Sequence, residues 1–165
     1  MPSERHWTVL VVDDEVAIHR ALARTLRREP YELIHAYDTA EALAVLRERH
    51  DVAGVICDQY MPGTNGLDLL MDVRRRHPAI VTVLLTGQAD LRLVMRALNE
   101  GRIHRFFTKP WLPAHLRDEL RALLGRVDED AARREHAAKT EERLRREMTP
   151  LRDEHTGAFL IDPDL

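Results

Sequence analysis

A chain of 165 residues with 44% hydrophobic content has room for one well-buried core and an appendage, and its composition is not that of a disordered protein. A net charge of −3 gives no electrostatic reason to expect nucleic acid as a direct partner, and a single cysteine excludes an internal disulfide and suits a reducing compartment. No apolar stretch approaches a membrane span and the amino terminus lacks a signal peptide's charged-then-apolar order, so a cytoplasmic location is expected with no membrane partner.

Strand and helix signals alternate about five times up to residue 125, which predicts a doubly wound α/β fold around a parallel sheet. The first strand is expected over Thr8 to Val12, and the helix after it carries Ile18, Leu22 and Leu26 at helical spacing. A second strand lies around Leu33-Ile34. Asp38, with Glu41 three residues later, offers a capping-box-like start for a helix holding Leu43 and Leu46. The third strand, Val55-Ile56-Cys57, runs into Asp58, and Cys57 within it reads as packing rather than reactivity.

Met61-Pro62-Gly63-Thr64-Asn65-Gly66 is dense in turn formers and is expected to be a loop. Leu67, Leu70 and Val73 belong to the next helix, which Pro78 closes off and whose Arg74-Arg75-Arg76 run is a solvated face. The apolar run Ile80 to Leu85 leads into Thr86. Beyond it Asp90 is expected as a helix N-cap, with Leu91, Val94, Met95 and Leu98 as the apolar face and Gly101 as the C-terminal cap. Arg105-Phe106-Phe107-Thr108 is the fifth strand and ends at Lys109-Pro110, and Pro113 suits the first turn of the last helix.

That helix is expected to continue. Leu116, Leu120, Leu123 and Val127 pass in heptad register into Asp130, Arg134, Ala137, Glu141, Leu144, Met148 and Leu151. The middle of the register is charged, which leaves two readings open: a solvated extension held by i,i+4 ion pairs, or a marginal coil that makes a homodimer. The expected division is a folded domain over 1–125, a charged helical extension over 126–151 and a tail over 152–165 containing Phe159-Leu160-Ile161.

Four polar groups stand where apolar runs end: Asp13-Asp14, Asp58, Thr86 and Lys109. In an open parallel sheet the carboxyl ends of the strands share one edge, where ligands bind. Three carboxylates crowded there would repel by about 4 kcal/mol per pair at 4 Å and an effective dielectric near 20, so a cation is expected among them. Magnesium fits as a hard, oxygen-seeking ion. The nine histidines show no zinc-ligand spacing. Asp58 then reads as a nucleophile that forms an aspartyl phosphate, with Lys109 and the Thr86 hydroxyl holding phosphoryl oxygens.

The chain resembles the receiver domains of two-component response regulators over about residues 5 to 125. The likeness rests on Val11-Val12-Asp13-Asp14-Glu15, on Cys57-Asp58-Gln59-Tyr60-Met61-Pro62-Gly63-Thr64-Asn65-Gly66, on Leu84-Leu85-Thr86-Gly87 and on Phe107-Thr108-Lys109-Pro110-Trp111. It implies a five-stranded flavodoxin-like fold with Asp58 as phosphoacceptor. Magnesium would be held by Asp13, Asp14, Asp58 and the backbone carbonyl of Tyr60, with Thr86 and Lys109 on the phosphoryl group. It also implies a cis Lys109-Pro110 peptide, Phe106 as the switch aromatic, and flanking positions at Gln59, Tyr60 and Gln88 that tune dephosphorylation. A sensor histidine kinase or phosphotransfer protein would donate the phosphoryl group and a downstream protein would read the switch. Such a domain catalyses only its own phosphorylation and dephosphorylation.

The segment from Leu98 to Trp111 is similar to receivers joined to cyclic-di-nucleotide phosphodiesterases or to hydrogenase and nitrogen-type transcriptional regulators, so a receiver fragment of a larger regulator is an alternative. A magnesium-dependent aspartyl-phosphate phosphatase is another, although it needs a general acid where Tyr60 stands. A structural adaptor with a silent pocket is the third.

Overall fold

Successive residues of a strand face opposite sides of its sheet, so a strand that is apolar throughout must be covered on both. The computed structural model, which describes residues 6–87 and 91–148, meets that requirement with two separate cores. In chain order the elements are β1 (Trp7–Val12), α1 (Val16–Thr25), β2 (Tyr31–Ala36), α2 (Thr39–Glu48), β3 (Val52–Asp58), β4 (Tyr60–Met61), β5 (Thr64–Asn65), α3 (Gly66–Arg76), β6 (Val81–Thr86), α4 (Leu91–Asn99), β7 (Arg105–Thr108) and α5 (Pro113–Glu147). Five strands form a parallel sheet in the order β2-β1-β3-β6-β7, the flavodoxin-like doubly wound arrangement expected from the sequence.

Leu10, Val12, Val55, Cys57 and Leu84 point into one core with residues of α2, α3 and α4. Val9, Val11, Ile56, Val83 and Leu85 point into the other, against Leu22 of α1 and Leu116, Leu120 and Leu124 of α5. Register then fixes the rim. Val12 pairs with Cys57, Cys57 with Leu84, and Leu84 with Phe106, so the chain leaves β1, β3, β6 and β7 at one edge.

Local chemistry sets several boundaries. Asp38 caps α2 by accepting from the Glu41 N–H at 2.7 Å, while Glu41 reaches back to the Tyr37 N–H. Gly101 at φ 70° ends α4 with Arg102 N–H on the Ala97 carbonyl and Gly101 N–H on the Leu98 carbonyl, a Schellman arrangement.

Two expectations need correction. The stretch from Met61 to Gly66 is not merely a loop: Tyr60–Met61 pairs antiparallel with Thr64–Asn65, turned by Pro62 and by Gly63 at φ 72°. Buried Met61 anchors this hairpin, and proline followed by glycine is the chemistry of a type II turn. The inward face of α4 is Val94 and Ala97 with half-buried Leu98, whereas Leu91 and Met95 are exposed. Asp90 lies outside the described residues, as do Gln88, Leu151 and the tail.

By internal contacts the chain divides between Asp128 and Glu129, within α5. In the second unit the described residues are mostly exposed and carry ion pairs at helical spacing, among them Glu135–Lys139 at 2.7 Å and Glu142–Arg146 at 2.5 Å. Each such exposed pair is weak on its own because water screens it, and together they favour the helix.

Candidate functional site

Asp13 begins the loop after β1, and its side chain is fixed from two directions. One oxygen accepts from the Glu15 N–H at 2.8 Å and the other from Lys109 Nζ at 2.9 Å. The same Nζ lies 2.9 Å from Asp58 at the end of β3, so one ammonium bridges two carboxylates that have little contact with water. The Lys109 N–H donates to the Thr86 carbonyl at 2.8 Å, and the Lys109-Pro110 peptide is cis, as the family likeness implied. Asp14 stays exposed, and carboxylate oxygens of Asp13, Asp14 and Asp58 all lie within 4.8 Å of one another.

Burial pushes the Asp58 carboxyl above its ordinary value, and the charges of Asp13 and Asp14 add to that rise; the Lys109 hydrogen bond and charge pull the other way. For Lys109, burial favours the neutral amine, but its hydrogen bonds to Asp13 and Asp58 outweigh burial and hold it cationic. The Cys57 thiol, next to Asp58, is driven far up by burial and by both carboxylates, so it is inert packing.

The donor set suits a hard divalent ion. Each of the three clustered side chains offers a carboxylate oxygen, Asp14 is open to solvent, and the spread of 4.8 Å is spanned by one ion with waters.

Thr86 ends β6 with its side chain buried, and its hydroxyl donates to Oε1 of Gln59. Tyr60 is on β4 with an exposed side chain. Phe106 on β7 is half-buried against the core that contains Val94 and Ala97. Beside the site, Ile18, Ala21, Arg24, Lys109, Trp111 and Arg117 line a groove of about 620 Å³.

Three positions carry more than sequence reading gave them. Gly66, seen only as a turn former, starts α3 so close to β3 that a Cβ would sit 1.7 Å from the Asp58 carbonyl oxygen. His19 is buried in α1 and hydrogen-bonds the Asp13 carbonyl at 2.7 Å, a contact its helical position alone does not announce. Gln59 is fully buried, and the family likeness marked it only as a position flanking Asp58.

Comparison with known proteins gives a consistent result. Residues 9–121 match the family model described as "Response regulator receiver domain". The hydrogenase transcriptional regulatory protein HoxA of Cupriavidus necator is 40% identical over 119 residues, which are 72% of this chain and 24% of that protein. The chemotaxis protein CheY1 of Helicobacter pylori is 34% identical over 123 residues, 73% of this chain and 98% of that one. Among solved structures, the signal receiver domain of an HD domain-containing protein from Pseudomonas fluorescens superposes with a TM-score of 0.72 at 34% identity, covering 81% of this chain and 96% of that one. The chain spans about a quarter of the length of the HoxA proteins it matches, 24% and 22%.

Proposed function

This chain belongs to the response regulator receiver domain family of two-component signalling, and from that premise we propose that it is switched by phosphorylation of Asp58. The observation that carries the reading is the Asp13–Lys109–Asp58 cluster, in which one ammonium lies 2.9 Å from each of two carboxylates at the sheet's carboxyl edge.

In the proposed step an Asp58 carboxylate oxygen attacks phosphorus, the acyl phosphate bond forms, and the bond from phosphorus to the donor's leaving atom breaks. The donor is a phosphohistidine of a sensor kinase or phosphotransfer protein, whose imidazole keeps the released electron pair. Lys109 neutralises charge on the transferred group, and the Thr86 hydroxyl donates to one of its oxygens. Asp13, Asp14, Asp58 and the Tyr60 carbonyl would hold Mg²⁺, which supplies charge neutralisation at the phosphoryl oxygens. No turnover of an external substrate beyond this self-phosphorylation is proposed.

Phe106, half-buried against the core that includes Val94 and Ala97, supports a role as the aromatic whose packing reports the phosphoryl state. The groove beside Lys109 supports docking of the phosphoryl donor in a cytoplasmic setting; among the described residues no helix is long and apolar enough to cross a membrane. The charged helix beyond Glu129 supports a link to a downstream protein, with homodimer packing as its simplest form. The likeness to HoxA over 24% of that protein supports a second reading, in which the switch governs a longer regulator.

Incubation with acetyl phosphate and Mg²⁺ should retard the wild-type protein on a phosphate-affinity gel. Asp58→Asn or excess chelator should abolish the retarded band. A band of equal intensity in Asp58→Asn would remove Asp58 from its role.

A further inference from the structure

Gln59 has no freedom in its backbone. Its N–H donates to the Leu85 carbonyl at 2.9 Å and its carbonyl accepts from the Gly66 N–H at 2.7 Å, which clamps the residue between β6 and the start of α3. The side chain is 0% exposed. Its Oε1 accepts from the Thr86 hydroxyl, while its Nε2 is buried without a partner among the described residues. Buried amide donors are almost always paired, so an orphaned one next to a functional hydroxyl calls for an explanation.

A threonine hydroxyl carries one proton and two lone pairs, and a glutamine amide offers a carbonyl on one side and N–H groups on the other. With Oε1 facing it, the Thr86 hydroxyl has its only proton engaged and has none for a phosphoryl oxygen. A half turn about the last side-chain torsion, which is soft in glutamine, exchanges Oε1 for Nε2. The amide then donates to Thr86 Oγ1, and the hydroxyl proton is free to point elsewhere.

We propose that Gln59 is a positioning residue for the phosphorylation switch: its buried amide holds the Thr86 hydroxyl in the resting protein and, turned over, directs that hydroxyl onto the phosphoryl group of Asp58. The inference rests on the reading of Asp58 and Thr86 given above. No proton changes owner and no further ligand is needed. The orphaned Nε2 is the donor that the second arrangement uses.

Gln59→Met keeps the shape of the side chain and removes both polar atoms, so it tests direction rather than packing. Beryllofluoride affinity at saturating Mg²⁺ is measured for the full chain, for Gln59→Met, for Thr86→Ala and for the double variant. Alongside, hydrogen exchange of the Gln59 side-chain amide is followed by nuclear magnetic resonance. The inference expects about tenfold weaker binding in Gln59→Met and no additional loss when that change is made on Thr86→Ala, since residues acting through one contact are non-additive. It also expects Gln59 amide exchange to slow at least tenfold on adding beryllofluoride to the wild type, but not to Thr86→Ala. Unchanged affinity in Gln59→Met, losses that multiply in the double variant, or Gln59 exchange indifferent to beryllofluoride would each overturn it. Failure of the wild type itself to bind beryllofluoride would instead overturn the phosphoacceptor reading and this inference with it. The exchange measurement needs no Gln59 variant, so it decides the matter even if Gln59→Met misfolds.

Discussion

Lys109 is the side chain on which the charge balance of the site turns. It neutralises Asp13, which is wholly buried, and Asp58, whose carboxyl burial already disfavours in its charged form. Removing one partner of a buried ion pair costs about 3–5 kcal/mol, because a charge is left without compensation. Lys109 keeps some exposure, so Lys109→Met should lie toward the lower end of that range in urea unfolding without metal. Mg²⁺ should restore much of the loss, since a divalent ion can occupy the same carboxylates. A variant as stable as wild type in chelator would show that the bridge is not needed to hold the carboxylates together. The gathering of Asp13, Asp14, Asp58, Thr86 and Lys109 at one rim was legible in the sequence, because each ends an apolar run and parallel strands deliver their ends to one edge. The contacts of Gln59 with Thr86 and of His19 with the Asp13 carbonyl were not, because which way a side chain turns depends on neighbours from distant segments.

At the level of elements, close approach decides what sequence pattern cannot. The start of α3 is pressed onto β3, and a methyl at Gly66 would meet the Asp58 carbonyl oxygen at 1.7 Å and Cys57 Sγ at 2.8 Å. Gly66→Ala should therefore destabilise by about 1–3 kcal/mol or more. Because the displaced strand end carries Asp58, the same variant should bind Mg²⁺ more weakly; wild-type affinity in calorimetry would mean that α3 and the site are not coupled. The entry to β7 is held differently. His104 Nδ1 accepts from the Thr82 N–H at 3.0 Å, and burial lowers the imidazole from 6.5 to about 4. A folded value below the unfolded one means that this contribution is complete above pH 6.5 and is lost as pH falls through about 4. Asparagine can accept the same hydrogen bond without titrating, so His104→Asn should flatten the stability profile across that window. Parallel profiles for the two proteins would contradict this assignment. The inward face of α4 was hidden from the sequence because Leu91, Val94, Met95 and Leu98 satisfy helical spacing, yet Val94 and Ala97 are the buried pair.

For the molecule as a whole, alternation of strands and helices made the fold readable, since a parallel sheet covered by helices buries fully apolar strands on both faces. The last helix was readable for a different reason. Leu116, Leu120 and Leu123 lie against the sheet with Leu124, and beyond Val127 the same periodicity carries charges that pair along the helix. What that helix meets depends on chemistry outside one chain, so neither the solvated nor the dimeric reading follows from periodicity. The central claim concerns the rim of the sheet, and a crystal structure of the full chain with Mg²⁺ and beryllofluoride tests it most directly. The account predicts beryllium on an Asp58 carboxylate oxygen, Mg²⁺ held by Asp13, Asp14, Asp58 and the Tyr60 carbonyl, and Lys109 and the Thr86 hydroxyl on the fluorines. Asp58 without an adduct, in a lattice that leaves the rim open, with Asp13 and Asp14 turned away from any ion, would contradict it.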